Sequence, residues 1–192
     1  MNEPTTEEQL RAVTIGEPEQ LSGPVELVEY DEDWPSLYEV EAAKIRAALG
    51  ERVLQLEHVG STSVPGLAAK PRIDIVLAVV DSTDEPGYVP ALEAGGYTLR
   101  IREPGWFEHR LLKGIAPAVN LHVFSVGSPE IERMVAFRDR LREDEADRGL
   151  YADAKRELAR RDWKFVQNYA DAKTEVVEEI LRRARPGLWD SR

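Results

Sequence analysis

Ile73-Asp74-Ile75-Val76-Leu77-Ala78-Val79-Val80 is the most apolar run in the chain, largely β-branched and broken by a single charge. Its length suits a strand, and apolar residues at both parities predict burial on both faces, so it reads as the central strand of a sheet. Period-two geometry puts Ile73, Ile75, Leu77 and Val79 on one face and Asp74, Val76, Ala78 and Val80 on the other. A carboxylate there loses hydration unless it reaches the strand end, a cation or a metal. Asp74 is therefore either a capping or salt-bridging residue at a strand start or a functional acid.

Upstream, Val53 to Val59 reads as a second strand, running directly into Gly60-Ser61-Thr62-Ser63-Val64-Pro65-Gly66. A helix from Asp33 to Leu49 precedes it, with Pro35 in its first turn and Gly50 as its stop. Val25 to Tyr30 is a further short strand candidate. Downstream, Asp81 to Gly87 is a turn and Val89 to Ala94 a short helix. Strands are expected at Tyr97–Ile101, Trp106–Leu112 and Asn120–Val126. After Val126 the period becomes helical: a helix opens at Ser128-Pro129, and Gly149 is expected to break the chain. Helices then follow over Tyr151–Arg161 and from Trp163 to Arg183, with Pro186-Gly187 as the end. The expected fold is α/β or α+β: a mixed β-sheet flanked by helices, with a helical C-terminal layer. Residues 1–24 read as an irregular N-terminal arm, 25–183 as a single domain and 184–192 as a tail.

The 192 residues include 36 acidic and 25 basic side chains, a formal net charge of −11. That balance argues against a broad nucleic-acid surface, although it leaves room for a small anionic ligand in a local cluster of bases. Cysteine is absent, which excludes disulfides, thiolate metal sites and cysteine nucleophiles. The first eleven residues have neither a basic n-region nor an apolar core, and no apolar run approaches a membrane span. The expectation is a cytoplasmic protein without a membrane partner. No Gly-x-Ser-x-Gly elbow is present, and Glu143-Asp144-Glu145 reads as a solvated helix end.

Two features combine into a candidate site. Gly60, with the hydroxyls of Ser61, Thr62 and Ser63, forms either a tight turn or a close-approach loop whose N–H groups cradle a phosphate. It is not a Walker A loop, because Gly66 is followed by Leu67. A phosphate loop beside a strand-borne acid is the arrangement that nucleotidyl transfer requires, the acid holding a divalent ion against the phosphates. His122, on one strand face with Asn120 and Phe124, is either a core histidine or a cleft residue. Of Glu57 and His58, adjacent on a strand, only one is expected to face Asp74. His109 ranks below His122. Lys70, Arg72, Arg110, Arg138, Arg142, Lys155 and Lys173 are candidates for phosphate charge, and Tyr169 lies one helical turn from Lys173.

The stretch Glu57-His58-Val59-Gly60-Ser61-Thr62-Ser63-Val64-Pro65-Gly66-Leu67-Ala68-Ala69-Lys70-Pro71-Arg72-Ile73-Asp74-Ile75 resembles the signature block of the GrpB family, also called UPF0157. Asn120-Leu121-His122-Val123-Phe124 resembles its second block; the stretch from Phe137 to Arg142, Tyr151 with Lys155, and Tyr169 with Lys173 resemble its helical block. The resemblance implies a nucleotidyltransferase-like fold of the polymerase β type, and an enzyme partner in coenzyme A metabolism, since related domains occur fused to dephospho-coenzyme A kinase. It also implies a Gly-Ser loop, an acid-x-acid pair and a third acid. Here Gly60-Ser61 and Asp74 match, but Arg72 and Val76 stand where the second acid of the pair belongs. The implied ligand is a nucleoside triphosphate. The implied cofactor is a divalent cation, magnesium or manganese, with zinc as a further option because a site of Asp74, His122, Glu57 and His58 mixes oxygen and nitrogen donors. The expected activity is nucleotidyl transfer to a small molecule or protein hydroxyl. The alternative is a non-catalytic module that binds a nucleotide or coenzyme A.

Overall fold

The computed structural model describes residues 4–185. A five-stranded sheet in the order β1-β2-β5-β4-β3 forms its centre, from β1 (Gln55–Val59), β2 (Ile73–Val79), β3 (Thr98–Glu103), β4 (His109–Gly114) and β5 (Val119–Ser125). β2 runs parallel to β5 and antiparallel to β1, and β3, β4 and β5 pair antiparallel, so the sheet is mixed. Residues 73–79 of the apolar run form the strand it promised to be, all buried except the partly exposed Asp74, whereas Val80 lies just beyond the strand and is exposed.

The two faces of β2 divide the molecule. Ile73, Ile75, Leu77 and Val79 join Leu121, Val123 and Leu112 in the main core, covered by α2 (Trp34–Leu49) and α3 (Glu85–Ala94). On the other face Val59, Val76, Ala78 and Phe124 pack against Ile131 of α4 (Pro129–Glu143). That second apolar patch stops short of the start of β2. Beyond it, the same face carries Asp74, Asn120 and His122. The C-terminal layer of α4, α5 (Glu145–Ala159), α6 (Val166–Asp171) and α7 (Thr174–Ala184) closes over this polar end. There Val64 and Leu67 of the glycine-rich loop meet Leu141, Tyr151 and Ile180.

Several local expectations are corrected. Val25–Tyr30 forms no strand and contributes a single bridge, Val28 with Ala69. β4 starts at His109 because Phe107 and Glu108 are left-handed (φ 54° and 53°), which no strand accommodates. α3 begins four residues early and retains Pro90 inside it. Gly149 lies within α5: the Asp144 carboxylate caps the helix by accepting from Asp147 N at 2.9 Å, and burial of Tyr151 and Leu158 outweighs a glycine cost of about 1 kcal/mol. The last helix is two, separated at Ala172 and Lys173. Pro186, Gly187 and Trp189 lie outside the described residues.

The N-terminal segment, read as irregular, contains α1 (Glu7–Val13). Thr6 and Gln9 form a reciprocal capping box: Gln9 N donates to Thr6 Oγ1 at 3.2 Å and Thr6 N to Gln9 Oε1 at 2.8 Å. Ile15 N then binds Arg100 O on β3, and Val166 N binds Glu19 O beside α6. The segment therefore runs from the sheet edge to the helical layer. No helix among the described residues is long and apolar enough to cross a membrane.

Candidate functional site

Between the polar end of the sheet and the C-terminal helices lies a cleft of ≈ 710 Å³. Its floor is built where β1 meets β2. Val59 lies opposite Asp74, so the turn after Val59 passes directly over the carboxylate. Gly60 adopts φ +70°, and a Cβ there would stand 2.4 Å from Asp74 Oδ2. Only glycine permits this approach. Asp74 Oδ1 accepts from Asn120 Nδ2 at 2.8 Å, and Asn120 Oδ1 in turn accepts from Arg72 Nη1 at 3.3 Å.

Of the three loop hydroxyls, two serve the turn itself. Ser63 Oγ donates to Gly60 O at 2.6 Å, and Thr62 Oγ1 donates to Arg72 O at 3.2 Å. Ser61 lines the cleft instead and meets Lys155 Nζ at 3.0 Å. Lys155 is buried, donates to Ala68 O at 2.5 Å and stands 4.9 Å over the Tyr151 ring. Burial, reinforced by the Lys173 ammonium, pushes its pKa down to about 7. Lys70 is likewise lowered, by burial and by neighbouring Arg72. Lys173 sits 4.7 Å over the Tyr169 ring. Among the described residues the buried Tyr169 hydroxyl has no hydrogen-bond partner.

His122 faces Asp74 with Nε2 3.9 Å from Oδ1. Its Nδ1 lies 3.0 Å from Nε2 of His109, and His109 Nδ1 lies 2.6 Å from Glu103 Oε2. Burial drives His109 down to about 4 despite the Glu103 carboxylate beside it. The N-terminal segment forms the remaining wall. Glu19 reaches in to pair with Arg72 at 3.3 Å and with Lys113. Burial raises the Glu19 carboxyl, but the two cations outweigh it and hold the pKa at about 2.

The cleft thus gathers Gly60, Ser61, Thr62, Lys70, Arg72, Asp74, His122, Lys155, Tyr169 and Lys173. Other sequence candidates lie elsewhere. Glu57 shares the sheet face of Asp74, yet its carboxylate is taken by Arg138 at 2.9 Å. Arg138 also donates to His58 O, and Arg142 Nε donates to Ser63 O at 2.9 Å, so both arginines brace the turn. Arg110 points to the opposite face and binds Glu85 at 2.7 Å. His58, also on that face, stacks on Tyr38 with ring centroids 4.8 Å apart and contacts Thr62 Oγ1; burial lowers it to about 4. Sequence reasoning missed Glu19, Glu103 and Lys113, which are separated widely from Asp74 along the chain. The capping box of α1 was the one local sign that the N-terminal segment is structured.

Among the described residues no group of three or more His, Asp or Glu side chains is arranged to hold a metal ion. Asp74 and His122 supply one oxygen and one nitrogen donor. That pair fits a single ion completed by ligand oxygens and does not fit a two-ion clamp.

A UPF0157 protein of Halalkalibacterium halodurans is 58% identical over 181 residues, covering 94% of this chain and 93% of its own. One from Streptomyces coelicolor is 46% identical, covering 88% of each. The crystal structure of a conserved protein GrpB from Enterococcus faecalis is similar with a TM-score of 0.73 and 32% identity, over 83% of this chain and 96% of that one. The profile of the family described as GrpB protein matches residues 24–183, and with the relatives above it establishes that the chain belongs to the GrpB family.

Proposed function

We propose that the cleft binds a nucleoside triphosphate and transfers its nucleotidyl group to a hydroxyl acceptor. One observation carries this reading: the Gly60-Ser61 turn packs directly on the Asp74 carboxylate, with the cations of Arg72, Lys155 and Lys173 lining the same cleft. Backbone N–H groups of the turn, Ser61 and Lys155 seat phosphate oxygens through charge-assisted bonds. Arg72, Lys70 and Lys173 offset the charge that grows on the leaving pyrophosphate. Transfer forms a bond from the acceptor oxygen to the α-phosphorus, breaks the bond from that phosphorus to pyrophosphate and releases the hydroxyl proton. A divalent ion held by Asp74 and His122 would neutralise phosphate charge; Glu57, engaged by Arg138, is not available to it.

A second reading is favoured by the interrupted acid pair. With Arg72 and Val76 flanking Asp74, β2 carries a single carboxylate, which suits a module that binds a nucleotide or a coenzyme A-like anion without turnover. Calorimetric titration with ATP, GTP, CTP, UTP and coenzyme A, each with and without manganese, separates the two. Metal-dependent binding of one triphosphate below about 100 μM, a range typical of substrate sites, supports transfer, and Asp74→Asn should then lower turnover at least about 100-fold with folding intact. Binding of coenzyme A alone supports the second reading. Failure of all four triphosphates overturns the first.

A further inference from the structure

Glu103, His109 and His122 come from β3, β4 and β5, and they meet because Glu103 is registered opposite His109 and His122 opposite Leu111, two residues further along β4. The three side chains form a single hydrogen-bonded file that ends at His122, whose far ring edge faces Asp74. Each proton in the file has one consistent position. A carboxylate only accepts, so at 2.6 Å from Glu103 Oε2 the Nδ1 of His109 carries hydrogen. The His109 ring is 2% exposed, stacked on Phe124 at 4.7 Å and edge-on to Trp106 at 4.9 Å, a setting that favours a neutral imidazole. A neutral ring protonated on Nδ1 accepts on Nε2. The atom 3.0 Å from that Nε2 is Nδ1 of His122, which must therefore donate. This leaves Nε2 of His122 bare, facing the cleft.

The group opposite is Asp74 Oδ1, already accepting from Asn120. His122 Nε2 and Asp74 Oδ1 thus face one another across 3.9 Å, longer than a direct hydrogen bond and wide enough for one ion to be shared between them. We propose that Glu103 and His109 are positioning residues that hold His122 as its Nδ1–H tautomer, so that Nε2 and the Asp74 carboxylate together receive one divalent transition-metal ion. The inference rests on the part of the proposed function that assigns the ion to Asp74 and His122, and it adds two residues and a metal class. A carboxylate behind an imidazole orients the ligand ring and raises its basicity; here a second imidazole extends that support by one link. An imidazole donor selects manganese, cobalt or zinc over magnesium, which prefers all-oxygen surroundings.

The chain has three histidines, so tautomers can be read directly by long-range ¹H–¹⁵N correlation on the uniformly labelled protein without metal. The expected result is Nδ1–H for His109 and His122. His58 serves as an internal contrast, expected as Nε2–H because Thr62 Oγ1 gives its own proton to Arg72 O and accepts from the ring. An Nε2–H or doubly protonated His122 overturns the inference. Zinc added without nucleotide should shift Nε2 of His122, and manganese affinity read by electron paramagnetic resonance should exceed magnesium affinity.

In His109→Phe, which keeps a ring against Phe124, manganese affinity should fall about 10–100-fold. Glu103→Gln retains an acceptor for Nδ1–H and should lose less. Equal manganese affinity in wild type and His109→Phe overturns the positioning role. If His109→Phe does not fold, the wild-type tautomer still decides the matter. Because no nucleotide is used, metal binding without triphosphate binding leaves this inference standing while the transferase reading falls. Triphosphate binding with a reversed tautomer does the opposite.

Discussion

Residue 60 and Asp74 are in contact through the absence of a side chain: a Cβ at Gly60 would lie 2.4 Å from the carboxylate oxygen and 2.9 Å from the Asp74 Cβ. The turn and the acid are therefore one constructed unit. Gly66 supplies a control, since it is also left-handed (φ +76°) but has nothing within 4 Å of its added Cβ. Gly66→Ala should cost about 1–2 kcal/mol from backbone strain alone. Gly60→Ala should cost roughly 1–3 kcal/mol more from overpacking against Asp74. Urea unfolding of both variants measures the difference, and equal losses would show that the close approach is not a constraint.

Lys155 makes the stability of the unliganded protein depend on pH. Its folded pKa, about 7, lies below the ordinary 10.5, so between these values the unfolded chain binds a proton that the folded chain does not. Stability should then rise with pH across that window, by at most about 1.4 kcal/mol per unit, and the slope should vanish below pH 7, where both states are charged. Lys155→Met removes the slope. A wild type and variant that stay parallel from pH 7 to 9.5 in urea titrations would contradict the assignment.

Glu19 occupies Arg72 and Lys113 at the edge of the cleft. An incoming anion competes with it for the same cations. Glu19→Gln should strengthen pyrophosphate binding about 5–10-fold, roughly 1–1.4 kcal/mol, as read by calorimetry. Its depressed pKa has a second consequence. The stability contributed by Glu19 is present above the ordinary 4.5 and is lost as pH falls from there to about 2, a loss the Gln variant should lack.

Arg138 and Arg72 should separate cleanly in function. Arg138→Met leaves His58 O without its donor and the partly exposed Glu57 without its cation, and should cost about 1–3 kcal/mol, with pyrophosphate affinity within twofold of wild type. Arg72→Met should weaken pyrophosphate binding at least about 10-fold with a smaller loss of stability. A reversed pattern, measured by urea unfolding and calorimetry, would move the anion site to the Arg138 side of the turn.

Local pattern made much of the molecule legible. The apolar run of β2, the turn that follows β1 and the change of period after Val126 each depend on neighbours within a few residues, so strand, turn and helix could be read directly. The element ends were less legible. Gly149 stays helical because tertiary burial outweighs its propensity, and β4 starts late because two left-handed residues precede it. Among site residues, Gly60, Ser61, Lys70, Arg72, Asp74, His122, Lys155 and Lys173 were recognised as chemistry-bearing and all line one cleft. Arg110, Arg138 and Arg142 were not distinguishable from them, because which face an arginine occupies and which carboxylate it meets are set by packing.

By itself the sequence determined the mixed sheet, the small-residue turn after β1 and the placement of one acid at the start of the central strand; that residue 60 must be glycine follows from its contact with Asp74. Tertiary structure alone decided that Glu57 belongs to Arg138, that Glu19 enters the cleft, and that Glu103 and His109 stand behind His122. Backbone periodicity is a local property. Pairing of side chains from β3, β4 and β5 depends on strand register across the sheet, which is set by the collective burial of the core and cannot be read from spacing along the chain.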